Sequence, residues 1–109
     1  MNSGNRILVV DDDEFMRTMI ADAIGDTYQL TCVASGEACL DEARSRNPDI
    51  ILLDVEMPGM DGYETCRRLK ADLDLGGIPV IFISAHDQIE ARLHGYEAGG
   101  EDYIVKPID

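Results

Sequence analysis

The chain has 109 residues, with 9 Lys and Arg against 22 Asp and Glu, for a formal net charge of −13. That length holds one domain, with no room for a catalytic domain beside a regulatory one. The charge repels nucleic-acid phosphates and anionic membrane, so this segment is expected to bind neither, while 45% hydrophobic content is that of a packed globule rather than acidic disorder.

The first apolar run, Arg6-Ile-Leu-Val-Val10, is nearly continuous, the pattern of a strand buried on both faces. Residues 14–25 predict a helix with Phe15, Met16, Met19, Ile20, Ala23 and Ile24 on one stripe, capped by Asp13. Tyr28-Gln-Leu-Thr-Cys-Val33 alternates more and suits an edge strand. Residues 36–46 offer Ala38, Cys39, Leu40 and Ala43 at helical spacing. Asp49-Ile-Ile-Leu-Leu53 predicts a third, buried strand. Residues 62–73 offer Tyr63, Cys66, Leu69 and Leu73, opened by Asp61 with Glu64 in capping-box spacing. Ile78-Pro-Val-Ile-Phe-Ile83 predicts a fourth strand. Residues 88–98, with Ile89, Leu93 and Tyr96, predict a fourth helix opened by Asp87 with Glu90, and Asp102-Tyr-Ile-Val105 a fifth strand.

This alternation predicts an α/β domain: a parallel sheet with right-handed crossovers and helices on both faces. A fifth strand ending at Val105 calls for another helix to cover the sheet. The expectation is therefore a domain over 1–109 without its final helix, part of a longer chain or covered from elsewhere. Exposed apolar surface on the fifth strand should result, for a symmetric dimer or swapped arrangement to cover. No apolar run approaches the roughly 20 residues of a membrane span, and no signal peptide is seen. Cys32, Cys39 and Cys66 form no close-spaced metal pair. Their odd number fits a reducing cytoplasm and small buried or half-buried thiols.

Open parallel sheets bind ligands at the carboxyl ends of their strands. There stand Asp11, Asp12 and Asp13 after the first strand, Asp54 after the third, Ser84 after the fourth and Lys106 after the fifth. Only two lysines exist. Lys70 is placed on a polar helix face, while Lys106, between Val105 and Pro107, calls for an anionic partner. Asp11, Asp12 and Asp54 bring three negative charges that one lysine does not offset, and a divalent cation would. Oxygen ligands suit magnesium or manganese. No Gly-rich phosphate loop is present, so a phosphate here would be covalent or transient. A carboxylate beside a metal, a lysine and a hydroxyl makes an aspartyl-phosphate site.

At this point the chain resembles the receiver domain of two-component response regulators, the chemotaxis-regulator type included, over essentially its whole length. The resemblance rests on Ile7-Leu-Val-Val-Asp-Asp12, Asp54-Val-Glu-Met-Pro-Gly-Met-Asp-Gly62, Ser84-Ala85, Gly95-Tyr-Glu-Ala-Gly-Gly-Glu-Asp102 and Tyr103-Ile-Val-Lys-Pro107, five pieces in order at matching spacing. It implies a flavodoxin-like, doubly wound five-stranded sheet of order 2-1-3-4-5. It implies Asp54 as phosphoacceptor, and Asp12, Asp11 (mainly through water), Asp54 and the Glu56 backbone carbonyl as magnesium ligands. Ser84 and Lys106 would contact the phosphoryl group. Tyr103 would be the switch aromatic, packing inward as Ser84 moves, and the Lys106–Pro107 bond would be cis. Glu56 and His86 would tune the lifetime of the acyl phosphate. The implied partners are a histidine kinase or phosphotransfer protein, an output domain or downstream protein, and a second copy bound through the fourth helix and fifth strand. The domain would assist its own phosphorylation and dephosphorylation without acting as an enzyme on an outside substrate.

Duller readings compete. The three N-terminal aspartates can serve only as helix caps, Ser84 as a loop hydroxyl and Tyr103 as simple packing. The Asp11-Asp-Asp13 spacing also fits haloacid-dehalogenase-like phosphatases, with Asp11 as nucleophile, although Phe15 stands where a hydroxyl would follow. A degenerate receiver acting as a binding module and a flavin-binding domain of the same strand order are further alternatives.

Overall fold

The computed structural model describes residues 5–86 and 88–106. Strands and helices alternate as β1 (Arg6–Val10), α1 (Glu14–Ile24), β2 (Gln29–Val33), α2 (Gly36–Arg46), β3 (Ile50–Asp54), α3 (Gly62–Ala71), β4 (Val80–Ser84), α4 (Ile89–Glu97) and β5 (Asp102–Val105). The five strands form one parallel sheet of order β2-β1-β3-β4-β5. Register aligns the strand ends: Val10 lies beside Val33 and Leu53, Asp54 beside Ile83, and Ser84 beside Val105. Asp54 and Ser84 are thus the last residues of their strands, not the first after them, because the parallel ladder runs one pair further than the aliphatic run.

The alternation of the strands divides the core. Leu8, Val10, Ile51, Leu53, Val80 and Phe82 meet Cys39 and Ala43 of α2 and Cys66 and Leu69 of α3, while Val9 and Ile83 meet Met16 and Ile20 of α1 on the other face. β2 lies at one sheet edge and is the least buried strand, as its alternation predicts. Cys32 on that edge is exposed rather than half-buried. Burial pushes the Cys39 thiol up to about 12 and the Cys66 thiol up to about 11, so both stay protonated packing groups.

Helix faces depart from the predicted stripes. Phe15 and Ala23 of α1 face solvent, and α3 ends at Ala71, leaving Leu73 fully exposed. The largest departure is α4, whose Ile89, Leu93 and Tyr96 all point outward. Its sheet side is instead Gly95, where an added Cβ would stand 2.9 Å from the Phe82 ring and 3.2 Å from that of Tyr103. Periodicity marks an apolar stripe, but the close approach of a glycine decides which side meets the sheet. Asp61 caps α3 through the Glu64 N–H as expected, though the Glu64 carboxylate turns to Arg67 and Arg68 instead of completing the box. Asp87 lies outside the described residues, as does the Lys106–Pro107 bond. Gln88 is the N-cap of α4 and makes no side-chain cap bond. On β5, Ile104 is partly exposed and lines a groove of about 410 Å³ with Met19, Ile20, Ile24, Leu52 and Ile83, which is the exposed apolar surface expected there.

Lys70 is not on a solvated face. Its ammonium donates to the Ile78 carbonyl at 2.9 Å and to Glu101 Oε2 at 3.0 Å, while Glu101 Oε1 accepts from the Val80 N–H at 2.6 Å. This knot joins α3 to the amino-terminal ends of β4 and β5. Glu101→Ala strands the Val80 donor and should cost about 1–3 kcal/mol in urea unfolding. Unchanged stability would mean that water replaces the carboxylate freely.

Candidate functional site

Four strands end together at the carboxyl edge of the sheet. The Asp11 N–H extends the ladder to the Val33 carbonyl at 3.1 Å, leaving its side chain buried where β1 stops. Asp11 Oδ1 accepts from the Asp13 N–H at 2.9 Å, a local side-chain turn. Asp13 in turn accepts from the Phe15 N–H and caps α1, as read from the sequence. Arg17 of α1 donates to the Asp11 carbonyl at 2.7 Å. These bonds fix the loop that presents Asp12 to solvent.

Asp54 is 2% exposed at the end of β3. The loop after it returns tightly, with the Gly62 N–H donating to the Val55 carbonyl at 2.8 Å. A Cβ on Gly62 would collide with the Asp54 backbone carbonyl oxygen, so only glycine lets α3 begin this close to the end of β3. From β5, the Lys106 N–H bonds the Ser84 carbonyl at 2.7 Å. The Lys106 ammonium stands 3.3 Å from Asp11 Oδ2 and 3.2 Å from Asp54 Oδ1.

Both of those carboxylate oxygens are buried and lack an aligned hydrogen bond, since Lys106 reaches ion-pair distance off the hydrogen-bond direction. One oxygen each from Asp11, Asp12 and Asp54 lies within 4.8 Å of the others. Orphaned buried oxygens in an all-oxygen donor set fit a hard divalent cation such as magnesium. Burial first, then the Asp11 charge, pushes the Asp54 pKa up to about 7. Lys106 opposes this rise and Asp12 adds to it. Burial works to lower the Lys106 pKa, but the Asp54 and Asp11 charges outweigh it and the net shift is upward.

Ser84 is fully buried at the same edge, and its Oγ accepts from the His86 N–H at 3.0 Å. That bond uses an oxygen lone pair and leaves the Ser84 proton available to another acceptor. The Glu56 and His86 side chains pair with each other at the rim, a meeting that sequence reading did not anticipate. With Tyr63, Ala91 and His94 they line an open cavity of about 660 Å³. Tyr103 is buried with its ring against Phe82 (centroids 6.2 Å apart), and its hydroxyl has no hydrogen-bond partner.

Asp11, Asp12, Asp54 and Lys106 thus converge, Ser84 adjoins them, and Tyr103 lies three residues back along β5. Arg17 and Gly62 were missed as contributors. Arg17 has no spacing rule to reveal it, whereas a glycine directly after the Asp61 cap, where good helix formers are usual, signals close approach.

The family model of the response regulator receiver domain matches residues 7–109. Response regulator PleD of Caulobacter vibrioides is 46% identical over 105 residues, covering 95% of this chain and 23% of that protein. DNA-binding response regulator MtrA of Mycobacterium tuberculosis is 37% identical over 104 residues, covering 94% and 44%. The chain therefore spans less than half the length of these curated relatives. Chemotaxis protein CheY4 of Vibrio cholerae superposes with a TM-score of 0.93 at 26% identity, covering 98% of this chain and 90% of that one. With its sheet order and its acidic edge, the chain belongs to the response regulator receiver domains, the regulatory modules of two-component systems.

Proposed function

We propose that the domain accepts a phosphoryl group on Asp54 from a histidine kinase or phosphotransfer protein and passes the change to an output domain or downstream protein. The observation that carries this is the buried Asp54 carboxylate, with one oxygen unbonded and facing Lys106. That carboxylate attacks phosphorus in line, the new P–O bond forms as the bond to the donor breaks, and the electron pair leaves with the donor. Lys106 then pairs with a phosphoryl oxygen and Ser84 donates its hydroxyl proton to another. Asp11, Asp12, Asp54 and the Glu56 carbonyl would hold magnesium, or manganese, which when bound supplies positive charge against the phosphoryl oxygens. The paired Glu56 and His86 side chains, at the rim, are placed to tune how long the acyl phosphate survives.

The new group adds roughly −1.5 to −2 charge and draws Ser84 and Lys106 toward it. Tyr103 lies on the strand that carries Lys106, so β5 links the site to α4. Exposed Ile89, Leu93 and Tyr96 on α4 and Ile104 on β5 support a homodimer or output contact there. The reading is of a cytoplasmic module, and among the described residues no helix is long and apolar enough to cross a membrane. The charge of −13 argues against nucleic-acid contact by this segment, whatever domain it serves.

Acetyl phosphate with magnesium should add one phosphoryl mass to the wild-type domain, labile to hydroxylamine, and none to Asp54→Asn. Failure of the wild type to label would leave a binding module. Labelling that survives Asp54→Asn and vanishes in Asp11→Asn would replace this reading with that of a phosphatase fragment.

A further inference from the structure

Arg17 follows the acidic run Asp11-Asp-Asp-Glu14 on the first turn of α1, yet among the described residues it pairs with no carboxylate. A guanidinium among acids ordinarily takes a carboxylate, the stronger acceptor. This one is half-buried, reaches back across the helix start and donates to the Asp11 backbone carbonyl at 2.7 Å. The carboxylates of Asp11, Asp12 and Asp54 are left to Lys106 and to any ion that enters between them.

The place of that carbonyl is the second observation. It belongs to the peptide that joins Asp11 to Asp12, and a peptide unit turns as one plane. Among the described residues the Arg17 bond is the one hydrogen bond made to this peptide. The chain is anchored on either side, since the Asp11 N–H bonds the Val33 carbonyl at 3.1 Å and the Asp13 N–H bonds Asp11 Oδ1 at 2.9 Å. What remains free between the anchors is the tilt of the plane, which sets the direction in which the Asp12 side chain leaves the loop. Asp12 is exposed, so packing does not aim it, yet one of its oxygens lies within 4.8 Å of those of Asp11 and Asp54.

We propose that Arg17 is a positioning residue for the divalent cation. By holding the Asp11–Asp12 peptide it aims the Asp12 carboxylate at the ion's place and so strengthens magnesium binding, while its guanidinium stays on the backbone. A ligand that is not aimed beforehand must be ordered when the ion arrives, and that ordering costs affinity. The inference rests on reading Asp11, Asp12 and Asp54 as the metal ligands. The guanidinium charge alone would act the other way, because it repels an arriving dication. Aim and charge therefore predict opposite signs when Arg17 is replaced.

Calorimetric titration with magnesium alone tests this on the wild type, Arg17→Met, Arg17→Lys, Asp12→Asn and the double variant Asp12→Asn/Arg17→Met. Methionine keeps an apolar stem and removes donor and charge, whereas lysine keeps both. Arg17→Met should bind magnesium about five-fold more weakly, and Arg17→Lys should recover most of the loss. In the Asp12→Asn background the same change to methionine should make little difference, because the carboxylate it aims is gone. Backbone nitrogen relaxation with no metal present is a second readout. The Asp12 amide should gain nanosecond motion in Arg17→Met and lose it again in Arg17→Lys. Tighter binding by Arg17→Met would mean that only the charge reaches the ion, and unchanged binding that the loop holds itself; either overturns the proposal. Equal weakening in both backgrounds, the mark of a general loosening, overturns it as well, and so does an Asp12 amide as rigid in Arg17→Met as in the wild type. Where Asp12→Asn binds too weakly to titrate, the relaxation decides. A wild type that binds no magnesium, or an Asp12→Asn protein that binds it as tightly as the wild type, overturns the metal reading and the proposal with it.

Discussion

Asp54→Asn is expected to melt higher than the wild-type domain at pH 7 in a chelating buffer, while losing all phosphoryl acceptance. The ordinary carboxylate pKa of 3.8 rises to about 7 at Asp54 in the fold, through burial first and the Asp11 charge second. Between those values the folded state binds more protons than the unfolded chain, so this group's contribution to stability falls as pH rises from about 4 to about 7. Asparagine keeps the shape and removes the charge. Its advantage should be absent near pH 4, grow through the window, and reach about 1–3 kcal/mol at pH 7, less than the full shift because Lys106 loses an ionic partner. For a domain of this size that is a rise of several degrees, on the order of 4–8 °C per kcal/mol. Magnesium should narrow the gap, since it neutralises the wild-type cluster and has less to hold in the variant. An Asp54→Asn protein that melts lower than the wild type at pH 7 would contradict this electrostatic account.

Lys106→Ala should act in the opposite direction and by more. The ammonium is the cation within ion-pair distance of both Asp11 and Asp54, the two most buried carboxylates of the site. Its removal leaves two like charges facing each other out of water. Breaking a buried pair costs about 3–5 kcal/mol, and the partial exposure of the Lys106 side chain brings the expected loss to about 2–4. The loss should shrink as pH falls below 7 and Asp54 takes up a proton, and millimolar magnesium should restore part of it. The double variant Asp54→Asn/Lys106→Ala should be more stable than Lys106→Ala alone. Urea unfolding of the three proteins at pH 5 and pH 7.5, with and without magnesium, measures all of these. Additive single effects would mean that the two side chains do not interact.

The strands were legible because four of five are aliphatic runs with a charged or hydroxyl residue at the carboxyl end, and the same punctuation marked Asp11, Asp54, Ser84 and Lys106. Strand order came from the family resemblance, since alternation of elements says that a sheet is parallel but not which strands touch. Helix faces were less legible. Ile89, Leu93 and Tyr96 have helical spacing, yet the sheet takes the side of Gly95, a contact set by the Phe82 ring across the interface. Lys70 looked solvated because its partners, the Ile78 carbonyl and Glu101, are eight and 31 residues away. The Glu56–His86 pair and the Tyr63 bond to α4 likewise join loops and helices distant in the chain, and no local pattern encodes them.

The Lys70–Glu101 knot has a mechanical consequence. It fastens β4 and β5 to α3 at their amino-terminal ends, while Ser84 and Lys106 stand at the opposite ends, four strand residues or more away. If Asp54 accepts a phosphoryl group, the pull on Ser84 and Lys106 would act at the ends of these two strands furthest from that fastening, so displacement would grow toward the edge where the charge arrives and fade toward the knot.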